Sequence, residues 1–276
     1  MPQHVLYGGR VVVDFEEQGH IYSVTRDGEA LGTRDSVTKI LKAVDMGKSD
    51  AFAWWGASQA LDFLRGHSIP ASEEERDALF YDAQRAHIAT RDEAASVGKG
   101  FHSWIEAHIK AQMEFGEDPA LPDNEEERNA VLGYLAHEAE HGLSYRASEQ
   151  VIYSLEHDYI GTLDHIKILV MDGELGIGDY KSAADMRITF RLQLAAYAKA
   201  YMEERPDQRL YKRVVYLLGK DEPKCTPIDL CYPGWTDEES LEFDFAGFLA
   251  AQGVYRWGLK AIAAQPPKKR KKKAKE

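Results

Sequence analysis

Cysteine is scarce: Cys225 and Cys231 are the only two among 276 residues. Two thiols cannot build a disulfide framework or a four-cysteine metal centre, so a reducing cytoplasm is the expected compartment. No run of about 18 apolar residues occurs, which argues against a membrane-spanning helix and a membrane partner. The N-terminus has no basic stretch leading into an apolar one, so no secretion leader is expected. Positive charge is also short everywhere except at the end. The formal net charge is −12, yet residues 268–276 carry +6, which leaves −18 on the rest. A body that acidic repels nucleic acid at long range. Phosphate binding must then come from a local site, from bound cations or from the tail. A simple DNA-coating protein is disfavoured, and an enzyme that recruits Mg²⁺ is not. The tail, with Lys269, Arg270 and Lys271 among its cations, suits a nucleic-acid tether, a handle for an acidic partner or a nuclear import signal. It would equally serve as a solvated end; the acidity of the body favours the tether.

What is present is the composition of an ordinary globular protein, 44% hydrophobic and 11% aromatic, long enough to bury a sizeable core. Residues 1–48 read as short strands with turns, including Val11–Val13 and Ile21–Val24 ending at Asp27-Gly28, followed by a helix from Ser36. Residues 49–147 have helical periodicity. Ser72 before Glu73–Glu75 and Asn124 before Glu125–Glu127 are helix starts, a cap followed by acids that complement the macrodipole. Residues 148–232 hold strands at about 149–155, 160–170, 174–181, 212–218 and 225–230, interrupted by a helix over 189–202. Thr236 opens a last helix in 233–265, closed by Pro266-Pro267, and 266–276 is an unstructured basic tail. One domain over 1–265 is expected: α/β, a central mixed sheet flanked by helices, with a helical N-terminal insertion.

The most informative stretch is Gly161-Thr162-Leu163-Asp164, then Met171-Asp172-Gly173-Glu174, then Gly178-Asp179-Tyr180-Lys181. Asp-Gly between apolar runs is a strong hairpin signal. A tight turn centred there makes opposed residues sum to 345, so that Asp164 faces Lys181 and Asp179 faces Ile166. Side chains alternate along a strand, which gives Asp179 and Lys181 one face. Two carboxylates and an ammonium then gather within about 4.5–8 Å at the backbone. The same residues could form a cross-strand ion pair on a wet sheet face. The strands are otherwise apolar, however, and burying two carboxylates without metal or full pairing is costly. The set suits a hard divalent cation and a phosphate.

Other candidates are weaker alone. Gly98-Lys99-Gly100-Phe101-His102 is read as preceding a helical segment, with His102 and Glu106 on one helix face and Phe101, Ile105 and Ile109 on an apolar stripe beside it. His108 is out of register for a helical zinc-protease motif. Glu149 enters the strand before the Gly161–Asp164 segment. Gln193 and Tyr197 share a face of the helix after Lys181, where Arg187 and Arg191 suit phosphate oxygens. Trp54, Trp55 and Trp104 could stack on bases, but core packing is their expected use.

Taken in order, the chain contains Gly-x-x-x-His-x-x-x-Glu, an acid about 15 residues before Asp164, Gly-x-x-Asp, Asp-x-Lys and Gln-x-x-x-Tyr. This ordered set resembles the PD-(D/E)xK nuclease superfamily, specifically its RecB-like branch, which includes phage and mitochondrial exonucleases. Ser36-Val37-Thr38 resembles a segment common in the phage and mitochondrial members. The resemblance spans about residues 36–200.

The resemblance implies a restriction-endonuclease-like core and a metal-dependent DNA exonuclease acting on linear DNA ends in phage or cellular recombination, replication or repair. The setting would be the cytoplasm, that of the host if the gene is a phage's. His102, Asp164, Asp179 and the Tyr180 carbonyl would ligate Mg²⁺, with Mn²⁺ able to substitute. Glu149 would bind metal or position water, and Lys181 would orient the attacking water and stabilise charge on the phosphate. Gln193 and Tyr197 would line the DNA path. A single-strand-binding or recombination protein is an implied partner. Relatives with an iron–sulfur cluster carry four cysteines, so no such cluster is expected here. The alternatives are an endonuclease of the same fold and a non-catalytic protein that binds DNA ends.

Overall fold

A computed structural model describes residues 2–44, 49–168 and 175–265, with 49–51, 144, 146–149 and 164–168 described by backbone alone. The fold is mixed α/β. The basic tail, with Lys269, Arg270 and Lys271, and the expected Asp172-Gly173 turn lie outside the described residues.

The chain begins with an antiparallel meander of β1 (Gln3–Leu6), β2 (Val11–Glu16), β3 (Ile21–Arg26) and β4 (Glu29–Arg34). Asp27 and Gly28, at φ 49° and 84°, close the β3–β4 hairpin, as a two-residue turn with both central residues at positive φ requires. One face of the meander, with Val11, Val13, Tyr22 and Val24, packs on Val151, Tyr153 and Ile160. Ser36 caps α1 (Val37–Leu41) by accepting from the Lys39 amide at 3.2 Å.

Helices α2 (Ser49–Arg65), α3 (Glu73–Glu114) and α4 (Glu125–His141) follow. Ser72 and Asn124 cap α3 and α4 as expected, each accepting from the amide three residues on. The Gly98–Glu106 motif corrects the sequence reading: it lies inside the 42 residues of α3 rather than before a helix. Helix propensity of the surrounding Ala, Glu and Lys, together with the buried stripe Val97, Phe101, Ile105 and Ile109, outweighs the roughly 1 kcal/mol cost of each interior glycine.

Strands β5 (Ser144–Ser154) and β6 (Tyr159–Ile168) pair antiparallel, while β7 (Gly176–Lys181), β8 (Lys212–Leu218) and β9 (Cys225–Asp229) form a mixed three-stranded sheet. β7 and β8 run parallel, joined across α5 (Ile188–Glu204), since parallel strands need a crossover. β6 lies beside β7, but the described ladders keep them in separate sheets. The expected single central sheet and the pairing of Asp164 with Lys181 are therefore not among the described ladders. α6 (Asp237–Ala263) closes the domain, begun by a full capping box between Thr236 and Glu239.

Two apolar clusters flank β7. Ile177 belongs to the one beneath α1, α5 and α6, and Tyr180 to the one beneath α3 and α4.

Candidate active site

Alternation along β7 puts Asp179 and Lys181 on the α5 side and Tyr180 on the other. Asp179 is 3% exposed, and its Oδ2 lies 2.6 Å from the Lys181 ammonium. The Lys181 side chain also lies over the Phe190 ring of α5, 5.3 Å from its centroid. A carboxylate buried this deeply needs a charged partner, and a residue two positions away on the same strand supplies it. Tyr180 is wholly buried, edge-on to Tyr134 at 5.1 Å and tilted against Tyr216 at 5.0 Å.

The neighbouring pair of strands brings two further acids into register. Gln150 pairs with Leu163 and Ser148 with His165, so Glu149 and Asp164 hold opposed positions across the β5–β6 ladder. Their relation, invisible in the spacing of about 15 residues, follows from the antiparallel register. Gly161 is needed for a packing reason: a Cβ there would stand 2.5 Å from Cε1 of Tyr197. The Gly-x-x-Asp and Gln-x-x-x-Tyr motifs thus touch. Thr162 hydrogen-bonds through its hydroxyl to Tyr22 at 2.8 Å, tying this strand to the meander.

On α5, Gln193 donates to the Tyr197 hydroxyl at 3.1 Å, and both side chains are buried. Gln193, Arg187, Thr189 and Phe190 line a cavity of about 160 Å³ with Thr38 and Lys42. The Ser-Val-Thr segment and the α5 motif, far apart in sequence, therefore meet. Arg187 is exposed at the start of α5. Arg191 is engaged within the protein: it donates to the Leu230 carbonyl and Asp244 and stacks 3.9 Å above the Tyr232 ring. The structure thus gives it a packing role where the sequence suggested a phosphate contact.

His102 is half-buried on α3, stacked on Phe101. Gly98, one turn earlier on the same helix face, approaches Ser182 just beyond β7, where an added Cβ would be 3.4 Å from its Oγ. That contact brings the His102 turn of α3 to the carboxyl end of β7. Glu106 pairs with Lys110 one turn on. Where β7 and β8 end side by side, Ser182–Ala184, Leu217–Asp221, Lys224 and Thr226 line an opening of about 330 Å³. Carboxyl ends of parallel strands are a favoured ligand position in open sheets.

His108, out of register for a zinc motif, has a structural use. It is 2% exposed, bonded through Nδ1 to Asp118 at 2.8 Å and through Nε2 to Glu138 at 2.9 Å. Burial alone would lower its pKa, but Glu138 and Asp118 hold it above the ordinary value. Burial likewise works against ionised Glu138, and hydrogen bonds from His108 and Tyr134 keep its pKa below the usual range. Of the tryptophans, Trp104 is buried and donates to the Ala120 carbonyl at 2.8 Å. Trp54 departs from the expected core packing at 79% exposed.

Among the described side chains no three His, Cys, Asp or Glu residues form a metal-holding group; the description of Glu149 and Asp164 stops at their backbone. Compared with models of known protein families and with curated proteins, the chain matches none.

Proposed function

We propose that the chain is a Mg²⁺-dependent DNA exonuclease of the PD-(D/E)xK type, with its active site at the carboxyl end of β7. The observation that carries this reading is the pair between buried Asp179 and half-buried Lys181 at 2.6 Å, on a strand adjacent to the one holding Asp164 opposite Glu149. Keeping the Asp179 carboxylate buried is costly for stability alone, and three acids with an ammonium on neighbouring strands are useful for phosphoryl chemistry.

The donor set is dominated by hard oxygen, which fits Mg²⁺ and allows Mn²⁺. Asp164, Asp179, Glu149, His102 and the Tyr180 carbonyl are the groups that would hold the ion. When bound, it supplies Lewis-acid stabilisation of a phosphodiester under attack by water. Lys181, kept in place by Asp179 and Phe190, hydrogen-bonds the attacking water and balances negative charge developing on phosphorus. Gln193 and Tyr197, locked together and braced by the absence of a side chain at Gly161, position the strand. Arg187 and Lys42, beside Gln193, meet its phosphates.

The deciding experiment is cleavage of end-labelled linear DNA, single- and double-stranded, beside a covalently closed circle. Stepwise loss of linear DNA that needs Mg²⁺, is abolished by Asp179→Ala and is strongly slowed by Lys181→Ala is the expected result. Cutting of the circle would make it an endonuclease. Binding without Mg²⁺-dependent cleavage would leave a protein that only holds DNA ends.

A further inference from the structure

We infer that the outer face of α6 is a self-association surface, on which a second copy of this chain packs antiparallel about a twofold axis at Ala250. The inference is independent of any nuclease activity.

The inner face of α6 carries Leu241, Phe248 and Ala251 into the core. The opposite face should be polar on a monomer, and it is not. Phe243 is 57% exposed, Val254 51% and Trp257 70%, with Ala246, Ala250 and Gly253 exposed among them. A helix repeats every 3.6 residues, so these six positions form one stripe roughly 21 Å long between Phe243 and Trp257.

The stripe is nearly symmetric about its centre. Phe243 and Trp257 stand seven residues either side of Ala250, and Ala246 and Val254 stand four either side. A twofold axis perpendicular to the helix places each patch against itself in reverse. Antiparallel pairing therefore seats the Phe243 ring of one copy by the Trp257 ring of the other, while Ala250 meets Ala250 at the axis. A parallel pairing would stack Trp on Trp at one end and Phe on Phe at the other.

Charge selects the same orientation. The first turn of α6 holds Asp237, Glu238 and Glu239, and its last turn holds Lys260, with the lysine-rich sequence 268–276 following. Antiparallel packing brings each acidic start alongside the partner's basic end and opposes the two helix dipoles. Parallel packing would put like charges together.

The test uses the full chain with Cys225 and Cys231 replaced by serine. Sedimentation velocity should find a dimer, and both Trp257→Glu and Phe243→Glu should turn it into monomer with unchanged circular dichroism. Under mild oxidation Ala250→Cys should cross-link to itself. Phe243→Cys should cross-link only when mixed with Trp257→Cys. A monomer at every concentration, a dimer indifferent to the α6 substitutions, or self-cross-linking of Phe243→Cys would each overturn the inference. Ala250→Cys is a small change at an exposed position, so its cross-linking keeps the test decisive even if a glutamate variant fails to fold.

Discussion

The Lys181 ammonium and the Asp179 carboxylate form a 2.6 Å ion pair between two residues on one face of β7. Each charge is matched at close range by the other. Lys181→Ala should lower the cleavage rate by about 10²–10³-fold, the usual effect of losing one electrostatic stabiliser, with DNA affinity little changed. Asp179→Asn should lose Mg²⁺-dependent activity. Single-turnover kinetics, with filter binding alongside, separates the two effects.

Gly161 and Tyr197 offer a test that needs no activity. Gly161→Ala would press a methyl group to 2.5 Å from the tyrosine ring, and overpacking of this kind costs about 1–3 kcal/mol. Urea denaturation should show that loss, and a smaller Tyr197→Leu ring replacement should recover part of it in the double variant.

The two α5 arginines should part company. Arg191→Ala removes one of two partners of Asp244, itself 3% exposed and still held by buried Arg213, so a loss of about 1–3 kcal/mol in stability is expected. Arg187→Ala, at an exposed position, should leave the melting temperature unchanged and weaken DNA binding. Equal effects of the two on binding, with neither altering stability, would contradict this assignment.

His108 and Glu138 set a pH window. The folded pKa of His108 is raised above its ordinary 6.5, so its contribution is complete below about 6.5 and disappears as pH rises through the raised value. The folded pKa of Glu138 is lowered from 4.5, so its contribution is complete above that value and disappears as pH falls. Melting temperatures should therefore decline on the alkaline side from about pH 6.5, and His108→Gln should flatten that slope.

Deleting residues 268–276 should weaken DNA binding and flatten its salt dependence while leaving the cleavage step intact. Each lost phosphate contact reduces the slope of log affinity against log salt by about 0.9. Unchanged affinity at low salt would exclude the tether.

Much of this could be read from local chemistry. Ser36, Ser72, Asn124 and Thr236 each announced a helix by pairing a capping side chain with the residues after it, and each is found capping one. The run from Gly98 to His102 misled because glycine reads locally as a break, whereas the burial that keeps α3 continuous depends on partners elsewhere. Strand pairing was the least legible. β7 is buried at five of its six positions, so its pattern marks no solvent face and cannot tell a hairpin partner from a parallel one. For the same reason nothing in the sequence distinguished Arg191, claimed by Asp244 and Tyr232, from Arg187. The opposition of Glu149 and Asp164 needed a register, which spacing alone does not supply.

β7 has apolar clusters on both faces, Ile177 on one side and Tyr180 on the other. A strand held in this way opens only when both cores come apart. Its amides from 177 to 181 should accordingly be among the last in the molecule to exchange with deuterium, at a rate governed by global unfolding rather than local fraying. Asp179 and Lys181 would then sit on the slowest-exchanging segment of the fold, and any adjustment to substrate would fall to the elements around it.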